Sequence, residues 1–247
     1  MKVRNHEIGL DGGYVVAEAG TNHWAVRRSD RQNRAFALIT RAAEVGADAI
    51  KFQIFVPDEP LFCPVEGDGQ RWDRWKDTIL NKAEWASLAS YTHSKGLAFI
   101  GSAFQPGGVD IVQEVCDAHK VAVRANETYP WDMVVDKPAI VSLTRDGDWL
   151  YELPVGVDIC RLYCIPKYPC SPENVDFWIL SMLENYGLAG YSDHCPGPWM
   201  SVKALALGAA IVEKHFVLFD RDGDPDGSHA ATPKELAVIC QTRDAWR

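Results

Sequence analysis

The sequence predicts an α/β fold, a single (β/α)8 TIM barrel, and three observations carry that prediction. Eight apolar runs recur, at Tyr14 to Gly20, Asp48 to Phe55, Ala98 to Phe104, Val121 to Glu127, Pro138 to Thr144, Val157 to Ile165, Leu188 to His194 and Ala210 to Leu218. Stretches of helical spacing separate most of them, and Gly46, Gly96, Gly187 and Gly208 follow four of those stretches where a helix is expected to stop. The length, 247 residues, matches one such barrel, which typically needs about 250.

Taken in order, the first strand leads into a helix over Arg31 to Val45. The second leads into a long loop, Val56 to Thr78, rich in Asp, Pro and Trp, and then a helix over Ala83 to Lys95. A third helix is expected over Val109 to Ala118, directly before the fourth strand. Residues 145 to 156 are too few for a full fifth helix, so that helix is expected to be shortened. Helices over Pro172 to Glu184 and Pro198 to Leu207 follow the sixth and seventh strands, and Pro233 to Arg247 supplies the last. No linker or low-complexity segment interrupts the pattern, so residues 1–247 read as one domain.

A net charge of −9 argues against a nucleic-acid or anionic membrane surface, which rewards clustered Lys and Arg. No apolar run approaches the roughly 18 residues of a membrane span. The seven cysteines are an odd number without a disulfide pattern, which suits reduced thiols in a soluble cytoplasmic protein. Cys160 and Cys164 lie on one strand face about 13 Å apart at 3.3 Å per residue, too far apart to share a zinc ion.

Active sites of such barrels sit where strands end. The polar residues there are Glu18, Asn22 and His23 after strand one, Lys51 and Gln53 in strand two, and Ser102 in strand three. Arg124, Asn126 and Glu127 belong to strand four, Lys167 and Tyr168 follow strand six, and Ser192, Asp193, His194, Glu213 and His215 end the last two strands. Lys51, inside an apolar run, needs a buried counter-charge or an anionic ligand. The right-handed crossover of a βαβ unit places His194 and His215 side by side although about 20 residues separate them. With Asp193 and Glu213 beside them, the two imidazoles suit a divalent Mn, Fe, Co or Zn ion; they equally suit two hydrogen-bonded strand residues, and spacing does not separate these readings.

Several stretches carry a resemblance. Val16-Ala17-Glu18-Ala19-Gly20-Thr21-Asn22-His23, Gly46-Ala47-Asp48-Ala49-Ile50-Lys51-Phe52-Gln53, Tyr191-Ser192-Asp193-His194, Leu207-Gly208-Ala209-Ala210, Glu213-Lys214-His215-Phe216 and Asp226-Gly227-Ser228-His229-Ala230-Ala231 resemble, in order and spacing, the signatures of the sialic acid (N-acetylneuraminate) synthase family. That resemblance implies a transferase that joins phosphoenolpyruvate to the open-chain aldehyde of an N-acetylhexosamine, releasing phosphate and forming a 2-keto acid. It implies a divalent metal, Mn or Mg, on His194 and His215. It assigns Glu18, Gln53, Tyr168 and Asp226 to the sugar and Lys51, Ser102 and Ser192 to phosphoenolpyruvate. Glu127 matches a strand-four glutamate expected to handle protons of water attack at the pyruvyl C2, so Glu18, Lys51, Glu127 and His215 are the expected catalytic set.

The chain also departs from the family. A lysine usual five residues before that glutamate is here Ala122, and the serine of the motif is Ala125. Arg124 shares the face of Ala122 about 7 Å nearer the mouth and is the expected substitute cation. An asparagine usual after strand six is Lys167, which is expected to join Arg124 and Lys51 around the anion. The resemblance covers the catalytic barrel and is expected not to extend to the family's C-terminal antifreeze-like domain, which caps the partner's site in a homodimer. The expectation is then a separate capping protein, a different substrate, or cover from the 56–78 loop with Phe62, Trp72 and Trp75. Two other readings stay open: a pyruvate aldolase or lyase with Lys167 as Schiff base, and a non-catalytic sugar-phosphate-binding barrel.

Overall fold

The computed structural model describes residues 1–9, 13–145, 153–219 and 224–246. Eight parallel strands close into a ring: β3 (Tyr14–Gly20), β4 (Ala49–Ile54), β5 (Ala98–Ala103), β6 (Ala118–Val121), β7 (Ala139–Leu143), β8 (Ile159–Cys164), β9 (Ala189–Asp193) and β10 (Ile211–His215), with β10 returning to β3. A short antiparallel hairpin, β1 (Lys2–Val3) with β2 (His6–Glu7), precedes them. The helices are α1 (Arg28–Glu44), α2 (Asp68–Trp75), α3 (Lys82–Ser94), α4 (Pro106–Val115), α5 (Trp178–Glu184), α6 (Trp199–Ala206) and α7 (Pro233–Trp246). Among the described residues no helix is long and apolar enough to cross a membrane.

Successive side chains of a strand point to opposite faces, and here the two faces differ in chemistry. The outward face, with Val15, Ile50, Phe52, Phe99, Val141, Tyr163 and Val212, packs under the helices. α1 meets it with Ala35, Leu38, Ile39 and Ala42, spaced three and four apart, and each fully buried Leu or Ile contributes about 1.5–3 kcal/mol. The start of α3 is fixed by a capping box between Asn81 and Glu84.

The inward face changes character along its length. Its lower half is apolar, with Val16, Ala49, Ile100, Ala118, Ile140, Leu162 and Ile211 packed together and closed by Val3 and Ile8 from the hairpin segment. Two residues further along each strand the inward position turns polar: Glu18, Lys51, Ser102, Lys120, Ser142, Cys164, Ser192 and Glu213 all line the mouth. Gln53, His194 and His215 stand one step higher again.

The fourth strand departs from expectation. α4 ends at Val115, Cys116 is extended, and β6 begins at Ala118, where pairing with β5 sets Ala118 beside Ile100 and Lys120 beside Ser102. The expected strand over 121–127 is instead a 3-10 turn at Val123–Ala125 and a loop. Sheet pairing outweighs the helical spacing of 109–118, because His119, on the outward face, bonds Tyr129 Oη at 2.8 Å and Gln113 at 2.8 Å. The shortened fifth helix expected between residues 145 and 156 falls mainly outside the described residues.

Candidate active site

The polar upper half of the barrel opens into a cavity of about 560 Å³ at the C-terminal ends of the strands. It has a floor of lysines and serines, a wall of histidines and a roof supplied by α2.

In the floor, Lys51 Nζ lies 3.2 Å from Glu18 Oε2 and 3.1 Å from Glu213 Oε2. Lys120 Nζ donates to Ser142 Oγ at 2.7 Å and stands 3.8 Å from Glu213 Oε1, which also accepts from Ser192 Oγ at 3.0 Å. Burial works against the charged form of Glu213, yet Lys120, Lys51 and His215 together pull its carboxyl down to about 2. Glu18 goes the other way: burial dominates and raises its carboxyl despite the pull of Lys51 and His215. Burial opposes the charge of Lys51, but Glu18 and Glu213 raise its ammonium, whereas burial lowers that of Lys120, which lacks a second close carboxylate. Among the described residues Glu18 Oε1 is buried without a partner, and Glu18 Oε2 and Glu213 Oε2 have none but Lys51. Two buried cations and the neighbouring serine hydroxyls form a preorganised place for a small polyanion.

The wall comes from the ends of β9 and β10 and the segment that follows. His215 Nδ1 meets Asp226 Oδ2 at 2.9 Å, and the ligand atoms of His215, Asp226 and His229 lie within 4.8 Å of one another. His194 stands beside them, its ring 5.4 Å from His215 and 6.1 Å from His229. Its Nδ1 faces Ile165 O at 2.7 Å, which makes that nitrogen the donor and leaves Nε2 with its lone pair. Burial and the neighbouring imidazoles hold His194 well below the ordinary histidine range and His229 at about 3, so both are neutral. Burial also opposes charge on His215, but Asp226 outweighs it and raises the imidazole. Buried His229 Nε2 has no partner. Two or three neutral imidazoles and a carboxylate fit a divalent transition metal. Tyr168 covers the group, its ring 4.1 Å from His194 and 5.0 Å from His229.

Asp226 is held from the end of the adjoining strand, β3. Its backbone N–H donates to Asn22 Oδ1 at 3.3 Å, Asn22 Nδ2 donates to Phe216 O at 2.9 Å, and Arg34 bridges Asn22 O and Asp224. Gly20 makes this approach possible. It sits at a register shift of β3 with φ +52, and a Cβ there would stand 2.8 Å from Asp226 Oδ2 and 3.2 Å from Glu18 Oε1.

In the roof, Arg124 donates to Asp68 Oδ1 at 3.0 Å and to Cys63 O, pinning the start of α2. At its other end buried Trp75 stacks on Phe55 with ring centres 4.6 Å apart. Arg71 and Arg74 project from α2 into the cavity lining.

Of the residues expected from sequence, Glu18, Lys51, Gln53, Ser102, Arg124, Tyr168, Ser192, His194, Glu213, His215 and Asp226 line this one cavity. Asp193 does not: it alternates to the outer face and pairs with Lys214, so it is not beside the imidazoles. Asn22, His23 and Asn126 are likewise outside the lining, bonded to Phe216 O, Thr78 O and Ser142 O. Two residues given roles in binding or catalysis also fall outside. Glu127 is exposed and borders a neighbouring groove with Phe62 and Thr128, because the chain has left the sheet six residues earlier, at Val121. Lys167 is exposed and absent from the lining, since the chain beyond β8 turns outward before Tyr168 returns. Arg124 is committed to Asp68 and Cys63 rather than left for a ligand. The lysine thought missing from strand four is Lys120; a lysine five residues ahead of a glutamate then lands on Ala125, so no carboxylate occupies that place. Lys120, Ser142, His229, Arg71 and Arg74 were not foreseen. His229 stood in the Asp226-to-Ala231 motif, and Lys120 was hidden by the displaced strand.

Known proteins resemble this chain in sequence and fold. The sequence matches the NeuB family over residues 38–142 and 152–246. It is 29% identical to the spore coat polysaccharide biosynthesis protein SpsE of Bacillus subtilis, covering 96% of this chain and 68% of that one. It is 26% identical to an N,N'-diacetyllegionaminic acid synthase of Legionella pneumophila, covering 94% and 72%. A crystal structure of SpsE from Bacillus subtilis superposes with a TM-score of 0.83 at 28% identity, over 100% of this chain and 71% of that one. The chain therefore belongs to the NeuB family, and with it to the transferase-type synthases of sugar acids.

Proposed function

We propose that this protein joins phosphoenolpyruvate to the aldehyde of an N-acylated amino sugar, giving a 2-keto-3-deoxy acid and phosphate with a divalent metal in place. The observation that carries this is the meeting, in one cavity, of a dilysine and serine floor with the His215, Asp226 and His229 group. Lys51, Lys120, Ser102 and Ser192 bind the carboxylate and phosphate of the enolpyruvate. His215, Asp226 and His229, with His194 adjoining, hold the metal, and the nitrogen-rich donor set favours manganese over magnesium. When bound, that ion supplies Lewis-acid polarisation of the aldehyde.

The chain's own groups orient the rest. The enolpyruvate C3 forms a bond to the aldehyde carbon, and Glu18, whose carboxyl burial pushes toward the protonated form, gives its proton to the aldehyde oxygen. Water then adds at C2 and returns a proton to the Glu18 carboxylate. The C2–O bond to phosphate breaks as the new C2 hydroxyl loses its proton to the departing phosphate, leaving the ketone. Glu18 lines the cavity and its carboxyl is raised by burial, whereas Glu213 is held low by Lys120 and Lys51, so the proton work falls on Glu18.

Keto acid and phosphate should form in equal amounts from phosphoenolpyruvate and an N-acetylhexosamine with Mn²⁺, and not after chelation. Reduction of a pyruvate-treated sample with borohydride should leave Lys167 unmodified; an adduct there would restore the aldolase reading. Phosphate release without keto acid would overturn the condensation.

A further inference from the structure

The cavity roof carries charge opposite to that of the chain as a whole. The sequence has a net charge of −9, yet Arg71, Arg74 and Arg124 gather along one rim of the cavity. The carboxylate among them, Asp68, is shared by Arg124 at 3.0 Å and Arg71 at 3.3 Å. Asp73, the other acid of α2, pairs with Lys76 at 2.8 Å and is not part of the lining. The described residues give Arg74 no hydrogen bond or ion pair, and its charge acts on Asp226 across the cavity. The rim thus carries positive charge that its own acids leave uncompensated.

This rim is held in place. Arg124 ties Asp68 at the start of α2, and Trp75 at its end is buried against Phe55. Arg71 and Arg74 are three residues apart and so share one helix face, turned to the cavity. With enolpyruvate on Lys51 and Lys120 and the aldehyde carbon beside the wall, the rest of the sugar must leave toward the mouth, whose lining includes Arg71 and Arg74.

We propose that the aldehyde substrate ends in a phosphate monoester and that Arg71 and Arg74 receive it; this rests on the condensation proposed above. A phosphate monoester carries close to two charges at neutral pH and accepts from several donors, which two guanidiniums one helical turn apart can satisfy together. Arg124 is a positioning residue here, acting through Asp68.

The test uses the full chain with phosphoenolpyruvate, Mn²⁺ and two acceptors, an N-acetylhexosamine and the same sugar phosphorylated on its terminal hydroxyl. The readout is keto acid formation. The phosphorylated sugar should have the higher kcat/KM by about tenfold or more, and Arg71→Gln and Arg74→Gln should each raise its KM about tenfold, the scale of one charge-assisted hydrogen bond. Any change in the KM for phosphoenolpyruvate should be several times smaller. Equal or better use of the neutral sugar, or a larger effect on phosphoenolpyruvate than on the acceptor, would overturn the proposal. If neither sugar yields keto acid, the condensation reading fails for that sugar class. Thermal protection then decides the roof separately: extra protection by the sugar phosphate over the neutral sugar, lost in Arg74→Gln, supports it, and equal protection overturns it.

Discussion

Two groups of buried charges, one on each side of the barrel wall, show how the same residue types serve different ends. On the outer side Asp193 and Lys214 are both fully buried and 3.2 Å apart, and their remaining valences are used: Asp193 accepts from Cys195 N at 2.8 Å and Ser201 Oγ at 2.6 Å, and Lys214 donates to Cys195 O. On the inner side Lys51 faces Glu18 and Glu213 at similar distances, but among the described residues Glu18 Oε1 has no partner, and Glu18 Oε2 and Glu213 Oε2 have nothing beyond Lys51. A network that closes on itself holds the fold. One that leaves acceptors open is costly until a ligand completes it, and so marks a site.

The sharpest way to break this comparison is Asp193→Ala. It strands Lys214 in the helix–strand layer, and removal of one partner of a buried pair typically costs about 3–5 kcal/mol. Denaturant unfolding should show a loss on that scale, and a loss under 1 kcal/mol would mean the outer pair is not structural. Glu18→Gln should do the reverse, leaving the melting temperature unchanged or higher while turnover falls about 10²–10⁴-fold. Turnover near that of the parent would remove Glu18 from the proton steps. Next comes Lys120→Met, expected to weaken the thermal protection given by phosphoenolpyruvate by about 1.5–3 kcal/mol. Lys167→Ala should leave that protection intact, and matching effects in the two variants would mean that the exposed lysine bends into the site.

A last test concerns pH on the outer side. Burial lowers His119 to about 4, below the roughly 6.5 of an unfolded histidine. Between those values the unfolded chain binds the extra proton, so stability falls as pH falls, by up to about 1.4 kcal/mol per pH unit for this group. His119→Gln should flatten the stability profile between pH 6.5 and 4, and an unchanged slope would show that His119 does not titrate on unfolding.

What could be read from the sequence followed from strand periodicity. Glu18, Lys51, Ser102, Ser192 and Glu213 each stand two residues beyond an inward residue, so alternation alone projects them to the mouth, and the crossover rule brings His194 to His215. β6 was misread because Ala118-His119-Lys120 continues the helical spacing of α4, and only pairing with β5 tells strand from helix there. That slip hid Lys120 and lent false weight to Arg124 and Glu127. Lys167 was misjudged for a different reason: it lies past the end of β8, where alternation no longer predicts direction. His229 and the arginines of α2 lie in loop and lid segments whose placement depends on contacts across the ring, which no local pattern encodes.

The bond from Asp226 N–H to Asn22 Oδ1 joins positions 204 residues apart, and it crosses the seam where β10 meets β3. A contact of that sequence separation carries a large loop-closure cost. The place of Asp226 beside His215 and His229 therefore depends on closure of the ring, since Asn22 and Gly20, which it packs against, belong to the opposite end of the chain.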